Sequence, residues 1–449
     1  MVQIQYISIV CALIVVGGCS SFQKSQIDHV SLTSQSQTWS SQENAVKALY
    51  LSDLVSTDAL NKLVVRALEH NAELNQSLLS LQIVQQQYLQ AKSQYLPVAD
   101  LNLSAAQTQN AGRTYSGGLS ISWVLDVWGQ VSDQVSSAER TFSQQQALYQ
   151  QAQDTIAAEV MQSWLAFISL NHQMEIGDAR LHVLQQNEKL IYQRYRAGLG
   201  TLEDLDAART SMASALAAQE IRQENSAQQQ RVLNVLVGQV TGEYSASAEF
   251  PEVLIPLANL PEQNLARRPD LQAAWHAVEA ASYERDAAYK DMLPSIALQA
   301  SYAGAGTTPS KALFENPLWS LLGQLSAPLF QGGALKTAAE IAQLEEAKVY
   351  QAYRQTLLTA VQEVENALGQ ERSLSIQITH IKNALNSADS NLKQYQMKYR
   401  SGLATLLELL SVQQQTFDLQ SQLDELIYAR LSNRITLGLA LGLGVKHES

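Results

Sequence analysis

Two nearly identical segments lie 204 residues apart in this chain of 449 residues. The first, at 195–202, reads YRAGLGTL, and the second, at 399–406, reads YRSGLATL. The dipeptide Leu-Pro at 96–97 also returns at 293–294, at a similar separation of 197 residues. Because the separation changes so little, the repeat covers most of the chain. The fold must therefore accommodate two copies of one structural unit.

A helical pattern precedes the second of these segments. Apolar or small residues recur there at steps of three and four, the spacing of one face of a coiled-coil-like helix. The recurring positions are Leu374, Ile378, Ile381, Leu385, Ala388, Leu392, Tyr395 and Tyr399. No proline falls within 128–196 or 334–400, and helices of these lengths would be about 100 Å long. Such helices are too long for an ordinary globular domain.

An alternating pattern precedes each long helix and predicts a β-hairpin, over 98–125 in the first copy and 295–327 in the second. Apolar residues alternate with small polar ones in each predicted strand. Examples from the first copy are Leu101, Leu103, Leu119, Ile121 and Trp123. Strands of roughly 10 residues with one apolar face have the length and pattern of transmembrane β-strands. Alternation alone also fits a hairpin on a soluble core, but the same hairpin occurs twice beside a helix too long to fold back on it.

The composition describes a folded, acidic chain. Apolar residues make up 46% and charged residues 16%, and the formal net charge is -12, which gives no electrostatic case for binding nucleic acid.

Beyond the N-terminus the sequence contains no apolar run of about 18 residues that would predict a helical membrane span. Four strands cannot close into a barrel, and open strand edges are not tolerated in lipid. A membrane-inserted sheet would thus need further copies of the chain.

The N-terminus predicts a bacterial lipoprotein signal peptide over 1–18. The stretch 7–16 is apolar, and small residues lead into Cys19 and Ser20, so we expect covalent lipid on Cys19. Residues 2–6 contain no Lys or Arg, although this part of a signal peptide is usually basic, and an ordinary signal peptide with a chance cysteine is the alternative. Ser20 is typical of lipoproteins released to the outer membrane. The polar stretch 19–50 reads as an extended, lipid-anchored tail.

The sequence lacks the patterns of catalytic and metal sites. Its seven histidines form no pair at metal-ligand spacing, and it contains no HExxH, no GxSxG and no phosphate-binding loop. These observations predict neither an enzyme nor a metal site, and no cofactor apart from the covalent lipid. The glycine pairs at 117–118 and 332–333 are interpreted as turns and bends at strand edges.

Several motifs resemble one known family. They are the lipoprotein cysteine, the two hairpin-plus-long-helix copies, NLARRPDLQAA at 264–274, LDVWG at 125–129 and APLFQGG at 327–333. Together these resemble the outer-membrane factors of tripartite efflux pumps, the TolC-like and NodT-type lipoprotein channels. The resemblance implies a mainly α fold with a membrane β-barrel portion. In it, a homotrimer would close one 12-stranded barrel, four strands per protomer, continued by a periplasmic α-helical barrel.

The resemblance also divides the chain. The first repeat, 51–236, would hold a helix at about 58–95, the hairpin 98–125, the long helix 128–196 and a helix at 202–236. The second repeat, 263–444, would hold a helix at about 263–292, the hairpin 295–327, the long helix 334–400 and a helix at 404–440. An equatorial linker at 237–262 would join the two.

The turns after the long helices are predicted to dock a partner. Gly198 and Gly402 stand where a helix ends, and glycine permits a positive φ there. The resemblance implies that Gly198, Leu199, Gly402 and Leu403 meet a periplasmic membrane-fusion adaptor protein, and through it an inner-membrane pump.

The resemblance also implies a periplasmic gate at Tyr399, Leu407, Glu408 and Ser411, with Asp204 as the matching acid of the first copy. Three Glu408 carboxylates around a threefold axis would favour cations. Two positions depart from the family pattern. Ala404 stands where TolC has an arginine that can latch the tip, and Ser411 stands where many members have the acidic residue of a second ring. A constriction at Leu407 would then do more of the closing.

These features predict a channel in the bacterial outer membrane that extends into the periplasm and exports drugs or other small molecules. A conduit for type I protein secretion, built on the same trimer, is the alternative. A periplasmic adaptor is disfavoured, because it would carry one helical hairpin rather than two full copies. The sequence names neither the substrate nor the pump.

Overall fold

The computed structural model describes residues 48–55, 57–109, 112–244, 249–258, 264–315 and 317–446. The predicted signal peptide, Cys19 and most of the predicted tail lie outside these residues. Among the helices of the described part, none is long and apolar enough to cross a membrane.

Helices dominate both copies. The first copy contains α1 (Asp58–His70), α2 (Ala72–Lys92), β1 (Val98–Thr108), β2 (Gly112–Leu125), α3 (Gln130–Arg196) and α4 (Leu202–Leu236). The second contains α5 (Pro269–Lys290), β3 (Ser295–Gly306), α6 (Pro309–Phe314), β4 (Leu318–Ser326), α7 (Ala334–Arg400) and α8 (Leu406–Ala440). The mainly helical fold with a duplicated hairpin-plus-long-helix unit is therefore confirmed.

The long helices α3 and α7 have 67 residues each, so each is about 100 Å long. The first half of α3 packs against α5, for example through the ion pair of Arg140 with Glu279. Its second half packs against α4, where Gln219 donates to Asp178 at 2.8 Å. In the same way α7 packs first against α5 and then against α8. Each long helix thus connects the sheet end of the molecule to the tip turns.

One antiparallel sheet combines the two hairpins in the order β1-β2-β3-β4. Its two faces differ in chemistry. One face carries Leu101, Leu103, Leu119, Ile121, Trp123, Leu298, Tyr302, Trp319, Leu321 and Leu325. The other carries many serines, and two cross-strand pairs on it are hydrogen-bonded: Ser104 with Ser116 at 2.7 Å and Ser301 with Ser320 at 2.8 Å.

The interpretation of Gly117 and Gly118 as a turn or bend is wrong. Both lie inside β2, where Gly117 pairs with Leu103 and Gly304. Gly332 and Gly333, by contrast, have positive φ angles of 62° and 89° and precede α7, as a bend requires.

The helix expected over about 58–95 is broken. Asn71 has an extended backbone and ends α1, and its side chain accepts a hydrogen bond from the Leu74 amide at 2.9 Å. Its amide nitrogen also donates to the Leu236 carbonyl at 3.0 Å. The break is therefore stabilised by the end of α4, which is distant in sequence.

The main apolar core lies around the middle of α3. Leu165, Phe167 and Ile168 are fully buried there and pack against the 51–55 segment, α1 and the ends of α4 and α8. Tyr50 and Gly444 form an isolated parallel bridge. The beginning and the end of the described chain thus meet at this core.

The RRPD motif joins three helices. Buried Arg268 donates to Asp270, to Glu363 of α7 at 2.7 Å and to the Ala440 carbonyl of α8 at 3.0 Å. Pro269 occupies the first turn of α5, where its missing N–H costs no hydrogen bond. This helix begins later than the expected residue 263.

Candidate functional site at the two tip turns

The two tip turns have the same backbone. Gly198 and Gly402 have φ angles of 71° and 70°. The Leu199 amide donates to the Arg194 carbonyl at 2.9 Å, and the Leu403 amide donates to the Lys398 carbonyl at 2.8 Å. These are the hydrogen bonds that close a helix end at a left-handed glycine. A Cβ added at either glycine would meet nothing within 4 Å, so the constraint is the backbone conformation rather than space.

Exposed apolar side chains surround both turns. Leu199 is 70% exposed and Leu403 is 79% exposed, and Leu407 and Met397 lie nearby with more than half of their surface in solvent. Clustered exposed apolar groups mark contact surfaces. The four predicted docking residues therefore lie where a partner could reach them.

Both predicted gate acids cap the helix that follows their turn. The Thr201 hydroxyl accepts from the Asp204 amide at 3.1 Å, and the Asp204 carboxylate accepts from the Thr201 hydroxyl at 2.8 Å. Glu408 does the same with Thr405: its carboxylate accepts from the Thr405 amide at 2.7 Å and from the hydroxyl at 2.8 Å. This reciprocal arrangement is a capping box. Its sequence signal, Thr followed three residues later by an acid, is present in both repeats.

The cap changes the titration of Glu408. The hydrogen bonds from the Thr405 backbone and side chain lower the pKa of the Glu408 carboxyl, and the positive charge of Lys398 adds a smaller effect in the same direction. The side chain is exposed. Glu408 is thus a solvent-facing, ionised carboxylate at neutral pH.

The other predicted gate residues lie in two places. Leu407, Glu408 and Ser411 share one exposed face of α8, and Ser411 borders an open polar groove that continues along the helix past Gln415 and Asp418. Tyr399 lies elsewhere, half-buried beside an apolar cluster. That cluster contains Ile191, Leu205, Ala208 and Leu406.

Tyr399 also connects the copies. Its hydroxyl accepts a hydrogen bond from Arg194 of α3 at 3.2 Å, and the guanidinium carbon lies 5.6 Å from the ring centroid. Exposed cation–π contacts of this kind contribute about 0.5–1 kcal/mol. The role of Arg194 was missed in the sequence.

A polar seam continues this connection along α3 and α8. Its contacts are Gln162 with Thr436 at 2.9 Å, His172 with Asp424 at 2.7 Å, Arg180 with Asp418 at 3.4 Å and Asn187 with Gln413 at 2.9 Å. The sequence contains a signal for it, because polar residues on α3 recur every seventh position. They are Gln173, which donates to the Ser421 carbonyl of α8 at 3.0 Å, Arg180, Asn187 and Arg194.

Two copies of one hairpin-plus-long-helix unit, each with an exposed tip turn, make up the described structure. In the described part of the chain, no three His, Cys, Asp or Glu side chains gather as a metal site. The family model for outer membrane efflux proteins matches residues 63–239 and 260–443. The chain belongs to this family, and it is an outer-membrane efflux channel protein. The resemblance inferred from the motifs is confirmed.

Individual relatives agree with this assignment. The pyoverdine export outer membrane protein OpmQ of Pseudomonas putida is 27% identical over 77% of this chain and 74% of its own length. The cation efflux system protein CusC of Escherichia coli K12 is 28% identical over 85% of this chain and 86% of its own. The probable outer membrane lipoprotein SilC of Salmonella typhimurium is 24% identical, with 86% of each chain covered.

Solved structures share the fold. A crystal structure of CusC superposes with a TM-score of 0.82 at 24% identity, over 91% of this chain and all of that chain. The open state of the Neisseria gonorrhoeae MtrE outer membrane channel gives a TM-score of 0.82 at 22% identity, over 92% of this chain and 96% of that chain.

Proposed function

We propose that three copies of this chain close one 12-stranded β-barrel in the outer membrane, continued by an α-helical tunnel into the periplasm. The observation that carries the proposal is an apolar-faced sheet joined to two helices about 100 Å long. The sheet ends in β1 on one side and β4 on the other. Unpaired strand edges are costly in lipid. Pairing β4 of one copy with β1 of the next would leave no unpaired edge and would close the barrel.

The N-terminal segment would anchor each copy. We propose that Cys19 carries lipid, in keeping with the relative SilC, which is named a probable outer membrane lipoprotein. Replacing Cys19→Ser should abolish incorporation of labelled palmitate while leaving barrel insertion largely intact, because apolar strand faces supply most of the membrane affinity. Loss of the protein from outer-membrane fractions in this variant would contradict a barrel that inserts by its own strands.

The tips would dock an adaptor. The exposed Leu199 and Leu403 stand on turns fixed by Gly198 and Gly402, which gives a partner a preformed apolar surface. We assign the adaptor to this surface, and an inner-membrane pump to the far side of the adaptor.

The gate would combine charge and apolar closure. Glu408 and Asp204 supply carboxylates held by their capping threonines, and Leu407 supplies an exposed apolar side chain beside Glu408. Ser411 continues this face, and Tyr399 holds the second tip against the first through Arg194. In a trimer these groups would surround the threefold axis.

Small molecules or ions are the proposed cargo. The relatives are named for pyoverdine export and for cation efflux. Purified protein in planar lipid bilayers should give stepwise ion conductance, and absence of steps from a protein that inserts would contradict the channel.

A further inference from the structure

A short helix lies on the apolar face of the sheet. Helix α6 belongs to the connection between β3 and β4, and it contacts β2 and β3. Three glycines, here called the glycine platform, lie beneath it: Gly117, Gly304 and Gly306. A Cβ at Gly304 would stand 2.4 Å from the Ala312 carbonyl oxygen, and one at Gly117 would stand 2.6 Å from a Leu313 methyl carbon. Only glycine therefore lets α6 approach the strands so closely.

The position of α6 argues against a second copy as its partner. The helix rests on β2 and β3, the two central strands, whereas copies would join at the outer strands β1 and β4. The face beneath it also carries Leu103 and Tyr302, and it is the face that the proposed barrel turns toward lipid. The outward side of α6 is continuous with that surface.

Aromatic side chains border α6. Phe314 is 80% exposed and Trp319 is 78% exposed, and Tyr302 pairs with Trp319 across β3 and β4. Large aromatic residues are enriched where the apolar layer of a membrane meets its headgroups. Their position marks this end of the sheet as an interface.

The charge at this end is opposite to that of the whole chain. Arg113 lies on the same face as Gly117, four residues earlier in β2, and donates to Gln107 at 3.2 Å. Lys311 of α6 is half-exposed and lies 3.9 Å from Glu315. These three are the charged residues of the two hairpin ends at 107–117 and 304–319, so the local charge is +1 in a chain of net charge -12.

We propose that α6, held by the glycine platform, forms with Arg113 a surface that binds the phosphorylated, anionic lipid of the outer leaflet. The inference rests on the proposed trimeric barrel, which places the hairpin ends opposite the periplasmic helices. Phe314 and Trp319 pack at the level of the lipid glycerol or sugar groups, and Arg113 and Lys311 meet the phosphates. A basic residue near an anionic membrane surface favours binding.

The role of the Arg113 and Lys311 charges is tested by titrating the intact trimer with lipid and measuring bound lipid by native mass spectrometry. The probes are diphosphoryl lipid A and dioleoylphosphatidylcholine. The double variant R113Q K311Q should bind lipid A about thirty-fold more weakly while its phosphatidylcholine binding stays unchanged. The matched control, R372Q K382Q, removes two exposed cations from α7 and should bind like the unaltered protein. Equal lipid A affinity in the two double variants would overturn the proposal.

A glycine substitution tests the platform. Gly304→Val should displace α6 and weaken lipid A binding, whereas Gly323→Val on the same face should not, because a Cβ at Gly323 meets only a Leu298 methyl carbon at 3.7 Å. Equal binding by both variants would overturn the role of α6. The same spectra report subunit number: a trimer without lipid A preference refutes this surface alone, whereas absence of a trimer refutes the proposed function and this inference with it.

Discussion

The tip of the first copy and the tip of the second share a backbone and differ in what their side chains contact. Gly198 and Gly402 adopt nearly the same positive φ, and each turn is followed by a threonine-acid capping box. Arg194 of the first tip, however, reaches across to Tyr399 of the second. Its counterpart after a shift of 204 residues, Lys398, lies over Tyr395 of its own helix at 4.9 Å.

The difference separates two requirements. The shared glycines end one helix and the shared caps begin the next, so both copies can make the same tight reversal of direction. The contact between the tips depends on a long guanidinium that can both donate to the Tyr399 hydroxyl and stack on its ring. The two copies therefore share one turn geometry. They differ in their side chains, because Arg194 of the first tip contacts Tyr399 of the second.

The largest effect is expected from reshaping both turns at once. The double replacement Gly198→Val and Gly402→Val forces β-branched residues into a left-handed conformation, and we expect export to fall to the level of a strain without the channel while trimers persist. Export is measured by the growth of a channel-deficient strain that carries the variant, in the presence of a toxic compound that the channel exports. Gly369→Val is the control, since that glycine lies inside α7 and an added Cβ meets nothing within 4 Å. Normal export by the double variant would contradict the assignment of adaptor docking to the two tip turns.

The next effect concerns closure at the second tip. Leu407→Gly should raise single-channel conductance severalfold and let vancomycin enter cells, if Leu407 forms the narrowest apolar ring. The Gly replacement also costs about 1 kcal/mol of helix stability, so Ile376→Gly, at another exposed position of a long helix, is the control. Unchanged conductance would refute the apolar constriction.

A smaller effect tests the asymmetry itself. Arg194→Ala removes the contact with Tyr399 between the two tips and should raise the open fraction of single channels by about two- to fivefold, as expected for a loss of about 0.5–1 kcal/mol. Lys398→Ala, its counterpart in the second copy, should leave the open fraction nearly unchanged. If both variants behave alike, the two tips are functionally equivalent and the comparison fails.

The smallest effect concerns the caps. Glu408→Gln should reduce the preference for cations in single-channel recordings, more than Asp204→Asn, if Glu408 faces the lumen. Equal ion preference in the unaltered protein and the Glu408 variant would exclude that orientation.

The capping box of Thr405 and Glu408 determines how the cation preference should depend on pH. Because hydrogen bonds from Thr405 lower the pKa of the Glu408 carboxyl from its ordinary value, they stabilise the fold at pH values above the unfolded-state pKa. This stabilisation is lost as the pH falls through the lowered folded-state pKa. Thr405→Val should therefore move the loss of cation preference to higher pH. Thr201→Val replaces the corresponding threonine of the first copy and is the control. An unchanged pH dependence in the Thr405 variant would contradict this role of the cap.

The repetition made much of the fold predictable. A spacing of three and four residues is a local property of the chain, so it identified the long helices, and strict alternation identified the strands around Leu101 and Ile121. The capping boxes were equally local. Their sequence signal is the threonine-acid spacing in TLED and TLLE, whereas the family resemblance indicates only a gate role for the two acids.

What could not be predicted depends on distant contacts. The break at Asn71 is completed by the Leu236 carbonyl, and the glycine at 117 is required by α6, which lies on it from the other copy. Neither partner is visible in a local pattern. Arg194 likewise gains its role from Tyr399, 205 residues further along the chain.

The central claim is that three copies complete one channel, and the subunit number of the purified protein tests it most directly. Native mass spectrometry or light scattering in mild detergent should give three chains per particle, stable without added partners because β1 and β4 pair between copies. A monomer or a dimer, each with two unpaired sheet edges, would contradict the account.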